Sequence, residues 1–202
     1  MASFPKTERG LRSRIKSYRA AMQKERRTFG AISDGRGLRY VIYWLLLLLD
    51  DPQEFATYHR WYRQTFEGDI GEPIQKLCAA VLLHRTGKED KARLMLAELM
   101  LANTYLLPEL LGQEQTRHQM WHGSNYAEPE YAQTIPAEII GALNHEDRQW
   151  LSETHGSFEF RRCKMQFIEL MQQLEKETVP AKRSAIMRKD EKLLEEFRAA
   201  AS

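Results

Sequence analysis

Apolar residues recur at intervals of three and four along most of the chain, and the breaks fall at glycine, proline and Asn/Asp/Ser positions. Leu11, Ile15, Tyr18, Met22 and Phe29 keep this spacing and predict an amphipathic helix over 6–28. Three glycines in "GAISDGRG" (30–37) break it. Residues 38–49 are apolar almost all round and predict a buried second helix. Asp51, Pro52 and Glu54 form a start signal: Asp51 can cap, Pro52 suits the first helical position, and Glu54 can reach back as in a capping box. A third helix follows through Phe55, Tyr58, Trp61, Tyr62 and Phe66. "EGDIGEP" is a loop, and Pro73 opens the next helix.

Residues 73–86 place Ile74, Leu77, Ala80, Val81 and Leu83 at helical spacing. Gly87 adopts a left-handed conformation at little cost and ends that helix. After a short turn at 88–90, Ala92, Leu96, Leu99 and Met100 form the stripe of another. Neither helix buries its face alone, so the two are expected to pack antiparallel, with alanines at the crossing. A short helix begins near Tyr105 and stops at Gly112; Gly123 and Ser124 start another, whose Tyr126 and Tyr131 are expected on the hairpin. Residues 134–141 give a short helix. Asn144 and Asp147 form a capping box before Trp150 and Leu151. Gly156 breaks that helix and Ser157 caps the next, in which Phe160, Cys163, Phe167, Leu170 and Leu174 make a seam for a partner helix, inside the molecule or in a second copy. Pro180 ends it, and a charged helix over 181–199 carries Ile186, Leu193, Leu194 and Phe197. No alternating run predicts a strand.

Composition adds little until charge is placed along the chain. Of 202 residues, 43% are hydrophobic and 29% charged, as in ordinary globular proteins. The net charge is +2, yet residues 1–40 hold eleven Lys/Arg against only Glu8, Glu25 and Asp34. A basic head on a mildly acidic body suits nucleic acid, an anionic surface or an acidic partner; a solvated helix face explains the same alternation. The start, "MASFPKTERG", has no apolar signal core. The most apolar run, 40–49, is about half the length that spans a bilayer. Cys78 and Cys163 sit in apolar-periodic segments and read as buried hydrophobes in a reducing compartment. The expected location is cytoplasmic, with no membrane partner.

The 73–100 hairpin resembles a tetratricopeptide (TPR) repeat through Ala80, Leu83, Gly87, Ala92, Leu96 and Leu99. Lys76 stands where that motif prefers an aromatic, and Asn103 and Thr104 replace its usual proline. The pair 38–49 and 53–66 shares the plan. The layout of "LANTYLLPELLG", "WHGSNYAEPEYAQ" and "QWL" is similar to that of poorly characterised TPR-like proteins. The resemblance implies an all-α fold of stacked antiparallel helical hairpins, a TPR-like α-solenoid or superhelix with flanking N- and C-terminal helices. Its segments are a basic helix and glycine-rich loop (1–36), a helical domain (37–178) and a charged helix (179–202). It also implies a concave binding groove on the first helix of the hairpin, holding Ile74, Leu77, Val81, His84 and Arg85. Leu77 and Val81 argue against the mode that grips a peptide carboxylate.

Candidate chemistry is sparse. In "HQMWH", His118 and His122 are four apart, one above the other on a helix face, a spacing that can hold a metal. His145 and Glu146 join them only if the fold allows it; two partly buried rings beside Trp121 explain the same residues. No Glu-x-x-His pair, P-loop or nucleophile elbow is present. The two glycines at Gly35 and Gly37 do not follow a strand. Nothing near Cys163 activates it with His155. No metal and no cofactor is expected. The leading expectation is a non-enzymatic protein–protein interaction module, a scaffold or adaptor binding a protein or peptide segment, self-associating as a homodimer through 158–174. The alternative is a nucleic-acid-binding accessory protein using Arg12, Lys16, Arg19, Arg60, Trp61 and Arg63 as a basic, aromatic surface.

Overall fold

The computed structural model describes residues 3–201, with side chains over 3–199. The outer ends of both flanking segments, 1–2 and 202, lie outside the described residues. Among the described residues every regular element is helical. In order these are α1 (Glu8–Phe29), α2 (Leu38–Leu49), α3 (Pro52–Thr65), α4 (Pro73–Arg85), α5 (Glu89–Ala102), α6 (Leu106–Leu110), a 3-10 turn (Asn125–Ala127), α7 (Pro129–Ala132), α8 (Ala137–Ala142), α9 (His145–Gly156), α10 (Phe158–Lys176) and α11 (Pro180–Ala201).

The starts follow side-chain capping. The Thr7 hydroxyl accepts from Gly10 N–H, and the Asp51 carboxylate from the N–H groups of Gln53 and Glu54. Both α4 and α9 open with full capping boxes, Glu72 with Gln75 and Asn144 with Asp147. Between α4 and α5 the elbow is tight. Gly87 has φ +67°, its N–H donates to His84 C=O at 2.8 Å, and Lys88 N–H donates to Leu83 C=O at 3.0 Å. A side chain at Gly87 would meet open space, so the need for glycine lies in the left-handed backbone alone. Ala80 and Ala92 are fully buried where α4 and α5 pack on each other.

α4 is the centre of the molecule. Every residue from 73 to 83 is buried, and α2, α3, α5 and α9 pack on it. In turn α2 packs on α1 and α8. Phe29 departs from its expected stripe and is 78% exposed. The reason is length: Arg12 meets Asp51 just beyond α2, and the 12 residues of α2 are exhausted before the last turn of the 22-residue α1. The α10 seam is filled from inside the chain. α11 packs on α10 and α5, burying Ile186, Leu193 and Phe197, with Phe197 edge-on to Phe160 at 6.0 Å. Of the two expected partners for the seam, the structure supplies the one inside the molecule, α11.

Candidate functional site

The expected groove is closed. Ile74, Leu77 and Val81 are at most 1% exposed, because α2, α3 and α9 close over faces that a longer row of hairpins would leave open. The two polar residues of that set are occupied elsewhere. His84 stacks on Trp150 (4.4 Å, 12° between planes), and both contact the Glu89 carboxylate, His84 Nδ1 at 2.8 Å and the donating Trp150 Nε1–H at 2.6 Å. Arg85 donates to Asp147, Asp50 and the Ala142 carbonyl.

The basic, aromatic surface separates into parts. Tyr58 and Tyr62 are core residues packed edge-on to Tyr43. His59 accepts or donates at Nδ1 to the Tyr43 hydroxyl at 2.8 Å, and burial, assisted by Arg63, pushes it down to about 4. Arg12 donates to Glu8, Asp51 and Glu54, which fastens α1 to the start of α3 and neutralises its charge locally. The Arg19 guanidinium lies 5.8 Å from the centre of the half-buried Trp61 ring. Lys16, Arg60 and Arg63 are exposed.

His118 and His122 do not share a helix face, because residues 113–122 are not helical. Trp121 N–H donates to the Met171 carbonyl at 3.0 Å, tying this irregular segment to α10. The two rings flank Tyr105 at 6.4 and 6.3 Å. Tyr126 and Tyr131 pack edge-on to each other at 5.2 Å, and Tyr126 is 44% exposed, so it is not sunk into the hairpin. Burial pushes the Cys163 thiol up to about 11 and the His155 imidazole down to about 4. Those directions keep both neutral, the opposite of an activated thiolate–imidazolium pair.

The most distinctive surface lies in the α3–α4 loop. Asp69 is fixed from several directions: Arg39 Nε, the Tyr40 hydroxyl and the Tyr62 hydroxyl donate to its carboxylate at 2.7, 2.8 and 2.9 Å. Burial opposes its charge, but these donors hold the carboxyl below its ordinary value. Gly71 follows with φ +78°, and a Cβ there would lie 2.8 Å from Gln75 Oε1. Between these two restraints Ile70 is held out to solvent, 83% exposed.

Ile70 stands where two cavities meet, of about 460 and 330 Å³. Both are also lined by Leu101, Ala102, Phe167 and Asp190, so together they form one cleft between the α3–α4 loop and α5 on one side and α10 and α11 on the other. The larger cavity is lined by four acidic residues, Glu67, Glu98, Asp190 and Glu191, together with Arg63 and the buried Lys76. Burial lowers the Lys76 ammonium, whose Nζ donates to the Glu98 carbonyl at 3.4 Å. The smaller cavity is walled by Met120, Trp121, Phe167 and Met171 and includes Thr104 and His122. Thr104 Oγ1 and His122 Nε2 are buried and have no hydrogen-bond partner in the protein. Each such atom costs about 1–3 kcal/mol when left unpaired.

No family model matches the chain, and no curated protein or solved structure matches it either. Among the described residues no helix is long and apolar enough to cross a membrane. Of this cleft, Tyr62, Phe66, Phe167 and Leu194 belonged to helical patterns visible in the sequence, and Arg63, Trp121 and His122 drew notice for other reasons. Ile70 left one trace, a single large apolar residue between glycines in an otherwise polar loop. Asp190 left none.

Proposed function

We propose that the chain is a non-enzymatic interaction module, a TPR-like hairpin scaffold that docks a partner protein through the cleft beside Ile70. The observation that supports this reading is the fixed exposure of Ile70 at the junction of two cavities. A large aliphatic side chain left in water forfeits about 1.5–3 kcal/mol of burial, and here the flanking Asp69 and Gly71 hold it there. Rigid apolar anchors beside concave surfaces are the usual hot spots of interfaces. The excess of acidic over basic residues in the lining, Glu67, Glu98, Asp190 and Glu191 against Arg63 and Lys76, suits an apolar segment flanked by lysine or arginine.

Affinity capture with Ile70→Asp and Phe29→Asp chains tests the reading. Phe29 is similarly exposed but borders neither cavity of this cleft. Ile70→Asp is expected to lose the specific partner at least tenfold, and Phe29→Asp to retain it. Equal retention by both overturns the proposal.

A second reading, binding of nucleic acid, draws on Arg19 over Trp61 beside a cleft of about 540 Å³ that Arg26 also lines. It predicts salt-dependent retention on a polyanion, lost when Lys16, Arg19, Arg60 and Arg63 become glutamine. Substitution rather than removal of α1 isolates the charge, because Leu11, Ile15 and Met22 belong to the core.

A further inference from the structure

α11 fills the seam of α10, yet α10 keeps a second face, turned to solvent on the opposite side of the helix. Residues seven apart on a helix lie within about 20° of each other and about 10 Å along the axis. Two such rows run side by side here: Phe158, Met165 and Gln172 form one, and Arg162, Glu169 and Lys176 the other. Phe158 is 66% and Met165 54% exposed, and Arg162, Glu169 and Lys176 are exposed beside them. The Arg162 guanidinium lies 5.8 Å from the centre of the Phe158 ring. Among the described residues neither Arg162 nor Glu169 has an ion-pair partner.

Taken in reverse order, this face complements itself. In an antiparallel two-fold pair with Met165 at the axis, Arg162 of each copy meets Glu169 of the other, and Phe158 meets Gln172. A parallel pair sets like charges against each other, which disfavours it. A foreign helix would need an acid and a base at the same reversed spacing, and the chain already carries both. Pairing of this kind closes at two copies.

We infer that the outer face of α10 is a self-association surface, on which a second copy of the chain docks antiparallel across Met165. The inference is independent of the cleft beside Ile70, since Phe167 and Met171 leave α10 on its other side. One helix face is smaller than the about 800 Å² a side of a standard interface, so monomer and dimer exchange, with a dissociation constant on the order of 10–100 µM.

Sedimentation equilibrium of the full chain over about 5–500 µM brackets that range. The weight-average mass is expected to rise from 23.7 kDa towards twice that value. Arg162→Glu and Glu169→Arg each oppose like charges in such a pair and are expected to weaken it at least tenfold. Combined in one chain, the two substitutions restore opposite charges and are expected to restore the dimer. An equimolar mixture of the two single variants is expected to dimerise where each alone does not, a rescue that a misfolded variant cannot give. Met165→Cys faces its own copy and is expected to form an interchain disulfide on oxidation, since Cys78 and Cys163 are buried. Met187→Cys, at a position 47% exposed on α11, is expected to stay monomeric. The inference is overturned by a monomer mass at every concentration, by a dimer indifferent to the charge substitutions, by failure of both the double variant and the mixture, or by equal crosslinking at 165 and 187.

Discussion

Arg85 grips Asp147 through two nitrogens, Nε at 3.1 Å and Nη2 at 2.6 Å, across 62 positions of the chain. Asp147 is 1% exposed and also closes the capping box of α9. One guanidinium thus joins the end of α4 to the start of α9, and through Asp50 at 2.7 Å to the end of α2. Removing it strands a buried carboxylate, which typically costs about 3–5 kcal/mol. Arg85→Ala is expected to lose about 3 kcal/mol in urea denaturation, with the slope unchanged. A loss below about 1 kcal/mol, the range of exposed pairs, contradicts the staple.

The charged tail is part of the body. Phe197 is 3% exposed against Phe160, and Leu193 is 5% exposed. Phe197→Ala is expected to cost about 3 kcal/mol. Ending the chain at residue 179 is expected to uncover the α10 seam and produce strong binding of a hydrophobic dye. A truncated chain that melts like the whole one and binds no dye would show that α11 does not dock.

One buried and two half-buried groups set opposing pH dependences. Burial pushes the Glu72 carboxyl up to about 7, against the backbone N–H groups of Ile74 and Gln75 that favour its charge. The folded chain holds that proton more tightly than the unfolded chain, so the contribution is complete below about pH 4.5 and lost as pH rises through 7. Burial pushes His59 and His155 down to about 4. Their contribution is present above about pH 6.5 and lost as pH falls through 4. Glu72→Gln removes only the term that declines with pH. The variant's stability is expected to rise more steeply than the parent's between pH 4.5 and 7. Denaturation series at several pH values check this, and parallel curves refute it.

Helices were legible because their signals are local. Asn144 with Asp147, Pro52 after Asp51 and Gly87 after Arg85 each act within one turn, and each is found in its expected role. What covers a helix is not local. Ile74, Leu77 and Val81 carry the same apolar spacing whether they line a groove or a core, and only the packing of α2, α3 and α9 on α4 decides. The seam of α10 was equally neutral between α11 and a second copy. Asn103 shows the limit most clearly. It stands where a repeat motif would have proline, yet its Oδ1 accepts from the N–H groups of Tyr105 and Leu106 while its Nδ2 donates to the carbonyls of Tyr126 and Glu128. The capping half could be read from Asn before a helix; the bonds to a segment more than twenty residues away could not. The cleft needs such pairings throughout, since Ile70, Thr104, Phe167 and Asp190 come from four separate segments.

Docking at Ile70 is the central claim, and a photo-crosslinking benzoylphenylalanine at position 70 probes it at the surface itself. Illumination in extracts of the native host is expected to give one discrete, saturable adduct from position 70, competed by excess unlabelled protein and absent when the same residue is placed at position 29. The same diffuse adducts from both positions, or none from position 70, would contradict the account.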